Sequence, residues 1–166
     1  IPMIKTKEDA QMAIDFVKYP PIGRRGVGLY RAQNYGIGFE KYKKWVEEES
    51  IVIAQIEHIE AVENIEDILQ VDGIDGTIVG PYDLSGSMGF PGDYDRMDVK
   101  IAIKKVKTAC KKYNKPYGFH VIESDPIKLQ SRIDEGCTFL AYSLDFFFLG
   151  DSVRSGMTVI KRNNLT

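Results

Sequence analysis

Two short stretches hold the residues best suited to chemistry: Gln55-Ile56-Glu57 and Gly80-Pro81-Tyr82-Asp83-Leu84-Ser85. Glu57 and Asp83 are carboxylates, the oxygen donors that hard divalent cations take, and Gln55 adds an amide that both donates and accepts. Each stretch stands where an apolar run ends. Ile51-Val52-Ile53-Ala54 leads into the first, and Ile74-Asp75-Gly76-Thr77-Ile78-Val79 into the second. Short β-branched runs bounded by turn or polar residues read as buried strands. Ile59 to Leu69 reads as a helix between them, so the two motifs leave neighbouring parallel strands about 4.8 Å apart. Two carboxylates so placed can share one cation. Strand alternation puts Gln55 on the face of Glu57 and Ile56 on the other. Taken alone, the two carboxylates favour a plainer reading, a polar strand end satisfied by hydrogen bonds. The Gly-Pro-Tyr-Asp-Leu-Ser stretch shifts the balance towards a site.

The elements that must position these residues form one domain, 1–166, long enough for a proper core. Hydrophobic residues make up 43% and charged residues 28% of the chain, ordinary for a globular protein. A net charge of -2 gives no electrostatic case for nucleic acid or an anionic membrane. No run approaches the roughly 20 apolar residues of a membrane span, and none reads as a signal peptide. Cys110 and Cys137 lack metal-type spacing and are expected to be buried free thiols in a reducing cytoplasm.

In order, Ile1 to Ile4 reads as a short strand. Thr6 caps a helix to about Tyr19, with Asp9 completing a capping box and Pro20-Pro21 ending it. Ile22 to Gly38 is irregular and rich in glycine, with Arg24, Arg25 and Arg31. It is either an anion-binding loop or a surface loop tied down by its arginines. Phe39–Glu49 is a helix, followed by strand 51–57, helix 59–70, strand 74–79 and a long loop from Ser85 to about Arg96. Met97–Tyr113 is a helix with a solvated lysine face. Tyr117–Val121 is a strand, and Pro126–Glu135 a helix capped by Asp125 and closed by Gly136. Cys137–Tyr142 is a strand. Leu144–Ile160 is a final helix whose Phe146, Phe147 and Phe148 suit docking onto another subunit. His58 is either a polar loop residue or a support for Glu57; His120 lines a barrel interior or is a hydrogen-bonded core residue. Five strands alternating with helices predict a parallel sheet covered by helices. Two architectures satisfy this: an open doubly wound sheet, or the last five units of a TIM (β/α)8 barrel, which takes about 250 residues. The abrupt opening on Ile1-Pro2-Met3-Ile4 favours the barrel.

Across Gln55-Ile56-Glu57 and Gly80 to Gly89 the chain resembles the HpcH/HpaI aldolase/citrate lyase family, metal-dependent pyruvate aldolases that include 4-hydroxy-2-oxoheptanedioate aldolase and 2-dehydro-3-deoxyglucarate aldolase. Tyr19 to Gly28, Glu60 to Ile65, Glu135 to Ala141 and Ser143-Leu144-Asp145 are similar to further family segments, so the likeness covers nearly the whole chain. It implies a barrel of the phosphoenolpyruvate/pyruvate type, here N-terminally incomplete. It implies a divalent cation (Mg²⁺, Mn²⁺ or Co²⁺) on Glu57 and Asp83, with pyruvate held by Gln55, Tyr82 and Asp83. The activity implied is cleavage or formation of 4-hydroxy-2-oxo acids from pyruvate and an aldehyde through a metal-stabilised enolate. It also implies homo-oligomers, hexamers in family members, that exchange the C-terminal helix. Tyr82 stands where many members carry a small residue, which narrows the aldehyde pocket. The family's catalytic His and Arg belong to strands with no counterpart here, so the catalytic residues are unknown and this chain alone is expected to turn over poorly. The rival expectations are a non-catalytic α/β assembly module and a citrate-lyase-like or malyl-CoA-lyase-like enzyme.

Overall fold

The computed structural model describes residues 1–160. Its elements are α1 (Lys7–Val17), a 3-10 turn (Arg31–Gly36), α2 (Phe39–Glu48), β1 (Ile53–Ile56), α3 (Ile59–Glu63), α4 (Ile65–Leu69), β2 (Gly76–Val79), α5 (Pro81–Ser87), α6 (Met97–Lys112), β3 (Tyr117–Val121), α7 (Pro126–Asp134), β4 (Phe139–Tyr142) and α8 (Asp145–Thr158). The strands form one parallel sheet in the order β1-β2-β3-β4. Each strand is added on the same side as the last, whereas a doubly wound sheet reverses direction once. The sequential order therefore removes the doubly wound alternative for the described strands and leaves barrel-type winding.

Alternation sorts the two faces of the sheet. Ala54, Ile56, Val79, Phe119 and Val121 are buried in the main apolar cluster. Ile53, Gln55, Ile78 and His120 lie on the other face and are only half-buried. Helix α6 packs on α3, α4, β2 and β3, through Val99, Ala102, Ile103, Val106, Ala109 and Cys110. A fully buried Val or Ile contributes about 1.5–3 kcal/mol, so this layer is what holds the strand ends in place.

Four strands are described where the sequence predicts five. Ile1 does pair with β1: its amino group donates to the Ile53 carbonyl (2.8 Å) and its carbonyl accepts from Gln55 N–H (2.9 Å). At Met3 the backbone takes φ 55, outside the extended region, and the pairing stops. The single helix expected over 59–70 is two, broken at Asn64 (φ -93, ψ 10), whose amide turns to donate to the Lys5 carbonyl at 3.0 Å. The stretch after Gly80, expected as a strand exit and loop, is helix α5 with Pro81 in its first turn, where a missing N–H costs nothing.

The helix signals at Thr6 and Asp125 are as predicted: Thr6 and Asp9 form the capping box of α1, and Asp125 accepts from Ile127 N–H. In the irregular stretch before α2, Arg24 pairs with Asp15 (2.5 Å), and Arg25 sits over the rings of Tyr19 and Tyr42 at 4.9 and 5.5 Å. These two arginines are spent on holding the loop, as the surface-loop reading expects. Among the described residues no helix is long and apolar enough to cross a membrane.

Candidate functional site

The residues singled out gather at the C-terminal ends of β1 and β2. Glu57 follows β1 and is only 5% exposed. A carboxylate that deep needs partners, and it has two. Oε1 accepts from the Met3 N–H at 2.8 Å, and Oε2 from the Gln55 amide at 2.5 Å. The Gln55 contact follows from strand alternation; the Met3 contact follows from the turn at its positive φ. A carboxylate offers about four lone-pair sites, so roughly half of its accepting capacity is left over.

Gly80 keeps a side chain away from Glu57 Oε2. Its N–H bonds the Ile56 carbonyl at 3.1 Å, which sets it beside Glu57. A Cβ on Gly80 would lie 3.0 Å from Glu57 Oε2, 3.2 Å from Glu57 Cβ and 3.3 Å from Gln55 Nε2. Glycine here leaves a cradle that any side chain would fill.

Tyr82 and Asp83 occupy the first turn of α5, ahead of Leu84, whose N–H bonds back to the Gly80 carbonyl at 3.0 Å. Asp83 is exposed, and its carboxylate engages no hydrogen-bond or ion-pair partner among the described residues. Tyr82 is 45% exposed, with its ring 5.7 Å from that of Tyr94. Buried Ser85 bridges α5 to the following loop: its hydroxyl donates to the Tyr82 carbonyl (2.8 Å) and accepts from Gly92 N–H (3.1 Å). The structure thus joins Gln55 to Glu57 directly. Tyr82 and Asp83 sit on the next strand's exit, without a hydrogen bond to that pair.

His58 caps α3, its Nδ1 accepting from Glu60 N–H at 3.2 Å, which is the role of a polar loop residue. His120 is half-buried on the face of Gln55, opposite Ala141. Cys110 and Cys137 are buried and free. Burial pushes both thiols up, Cys137 to about 11. Among the described residues no group of three or more His, Cys, Asp or Glu is placed to hold a metal ion.

A second polar cluster beside β3 escaped the sequence reading. Glu123 Oε1 accepts from both Tyr94 Oη and Lys128 Nζ. Burial raises the Glu123 carboxyl, but the hydrogen bonds from Lys128 and Tyr94 outweigh it, so the group titrates below the ordinary range. Burial and then Glu123 push the Tyr94 phenol up. The only local signal was an acid five residues before a lysine, too common to single out.

A family model described as HpcH/HpaI aldolase/citrate lyase matches residues 1–150. The chain belongs to this family. It is 32% identical over 156 residues to the hydroxypyruvate/pyruvate aldolase of Roseobacter denitrificans, a match covering 93% of this chain and 60% of that protein. It is 33% identical to the 2-keto-3-deoxy-L-rhamnonate aldolase of Klebsiella pneumoniae, over 99% of this chain and 61% of that one. The crystal structure of the HpcH/HpaI aldolase from Desulfitobacterium hafniense superposes with a TM-score of 0.85 at 29% identity, covering all of this chain and 64% of that one. The chain thus spans about 60% of the length of the curated relatives it matches.

Proposed function

We propose that this chain carries the metal and pyruvate subsites of a divalent-metal pyruvate aldolase, with β1–β4 serving as part of a (β/α)8 barrel. The observation that supports it best is the half-used Glu57 carboxylate beside a glycine whose Cβ would close the cradle. Glu57 and the free carboxylate of Asp83 would hold the ion; all-oxygen ligation suits Mg²⁺, Mn²⁺ or Co²⁺. When bound, the ion supplies Lewis-acid stabilisation of negative charge on the keto oxygen of pyruvate.

The chain's own residues do the positioning. Met3 N–H and Gln55 hold Glu57 in one orientation, and that pre-organisation is where a site gains most. Gln55 and the first turn of α5 at Tyr82 and Asp83 face the pyruvate unit. In the synthetic direction a methyl proton leaves pyruvate, C3 bonds to the aldehyde carbon, and the aldehyde oxygen takes a proton. The groups that move these protons are not assigned to residues of this chain. Helix α8, with Phe146, Phe148 and Leu149 exposed, is the proposed contact between subunits of a homo-oligomer.

Deuterium exchange into the pyruvate methyl group tests the reading, run with Mn²⁺ and again with chelator. Exchange that stops with chelator is the expected result, and exchange indifferent to chelator overturns it. Divalent-ion titration of Asp83→Ala is the second arm: unchanged affinity would remove Asp83 from the site.

A further inference from the structure

Helices α6 and α7 both pack on β3, and a groove of about 710 Å³ opens between them. Four lysines of α6 line it: Lys100, Lys104, Lys107 and Lys111. Their spacing of four, three and four residues keeps them on one stripe of the helix, about 16 Å long at 1.5 Å per residue. Tyr94 and Ile103 add apolar wall, and α7 contributes Arg132 and Glu135 from the other side. Part of the lysine face expected to be merely solvated is thus the wall of a concave site.

Charge in this groove is lopsided. Five basic side chains face two carboxylates, Asp95 and Glu135, leaving three positive charges in excess, in a chain whose net charge is -2. Both carboxylates are already taken, Asp95 by Lys100 and Glu135 by Arg132, each at 3.0 Å. Arg132 is also seated over the Phe119 ring, 3.9 Å from its centroid. Lys104, Lys107 and Lys111 engage no carboxylate among the described residues, whereas Lys112, on the α4 side of the helix, has Glu66 at 2.6 Å. Lys107 is half-buried all the same. Like charges three and four residues apart repel along a helix, so the stripe is an unbalanced field that an anion would relieve.

Volume and lining narrow what that anion is. The groove falls within the roughly 300–1,000 Å³ of small-molecule pockets, which favours a compact ligand over an extended polymer. Three free ammonium groups spread over about 10 Å suit a short chain of phosphates, and the wall of Tyr94 and Ile103 suits an uncharged planar group attached to it. We propose that the groove between α6 and α7 binds a small soluble polyphosphate of the nucleoside triphosphate class. The proposal does not depend on the aldolase reading, because none of the groove's residues belongs to the Glu57 and Asp83 site.

Amide chemical shifts of the full chain test it, followed in metal-free buffer during titration with ATP, with inorganic tripolyphosphate and with adenosine. ATP is expected to move the amides of residues 103–111 and 131–135, and to bind roughly tenfold more tightly than either tripolyphosphate or adenosine, which lack the base and the charge respectively. Lys104→Gln combined with Lys107→Gln removes two of the three free charges and keeps a good helix former at each position; ATP affinity is expected to fall roughly tenfold. Lys111→Gln, at an exposed position, gives a second reading, with a roughly threefold loss expected. Lys41→Gln combined with Lys44→Gln, on α2, changes the net charge by the same amount as the first pair and is expected to leave ATP affinity as it was. Absence of shifts at the groove amides, tripolyphosphate or adenosine binding as tightly as ATP, an affinity unmoved by Lys111→Gln, or equal losses in the two double variants each overturns the proposal. So does an unstructured oligouridylate that displaces ATP at lower concentration than ATP itself needs, which would make the stripe a nucleic-acid surface.

Discussion

Lys18, 8% exposed, and Glu57, 5% exposed, are the buried charges among the described residues, and they are accommodated in opposite ways. The Lys18 ammonium donates to the carbonyls of Val46 (2.7 Å) and Glu47 (3.1 Å) and to the Ser50 hydroxyl (2.9 Å). Its three donors are spent, two of them on carbonyls of the last turn of α2, where the helix dipole favours a cation. Glu57 accepts two hydrogen bonds and keeps room for more, with Gly80 standing aside. Both charges escape the cost of unpaired burial. One is closed by the protein's own groups; the other is held in place and left open. Saturation, not burial, separates the two: one charge has every donor used, the other has accepting capacity left over.

Substitution at each charge is the sharpest way to break this contrast. Glu57→Gln is expected to lower divalent-ion affinity at least about 100-fold, since changes one shell further out already cost about 10- to 100-fold; isothermal titration with Mn²⁺ reads it. An affinity within error of the parent would erase the distinction. Lys18→Met should do the reverse. Val46 and its neighbours lose charge-assisted partners, so urea unfolding should show a loss of about 2–3 kcal/mol, with ion affinity unmoved.

Gly80→Ala tests the open side alone. Its backbone (φ -95, ψ 95) tolerates alanine, so the penalty comes from the Cβ against Glu57 and Gln55. A loss of about 1–3 kcal/mol in stability is expected from overpacking, together with weaker ion binding. A variant that binds the ion as well as the parent would show that the cradle is not used.

Glu123 is the intermediate case, half-exposed and held by Tyr94 and Lys128. Its folded carboxyl titrates below the ordinary 4.5. It therefore stabilises the fold above that value, and the contribution is lost as pH falls through the depressed one. The urea midpoint should fall as pH drops below about 4.5, and fall less in Glu123→Gln. This is the smallest effect of the four, because the group is partly screened by solvent.

Much of this layout was legible beforehand. Tyr117–Val121 has the predicted bounds, because a compact β-branched and aromatic run between Pro116 and Glu123 allows little else. Thr6 and Asp125 cap the helices they were expected to cap, because capping is local chemistry. The pairing of Gln55 with Glu57 follows from a period of two. What was misread depends on distant partners. Asn64 breaks its helix by reaching Lys5, fifty-nine residues away. Gly80-Pro81, expected as a strand exit and loop, opens helix α5.

By itself, the order of residues determined that apolar runs end in Gln55-Ile56-Glu57 and Gly80-Pro81-Tyr82-Asp83 and that strands alternate with helices. Those are consequences of short-range periodicity and capping. Only the tertiary structure decided that the strands add in sequence, that Met3 N–H closes on Glu57, and that Tyr82 is backed by a loop clamped to Glu123. Each of these joins groups far apart in the chain, and no local preference specifies which of many possible partners a buried polar atom will find.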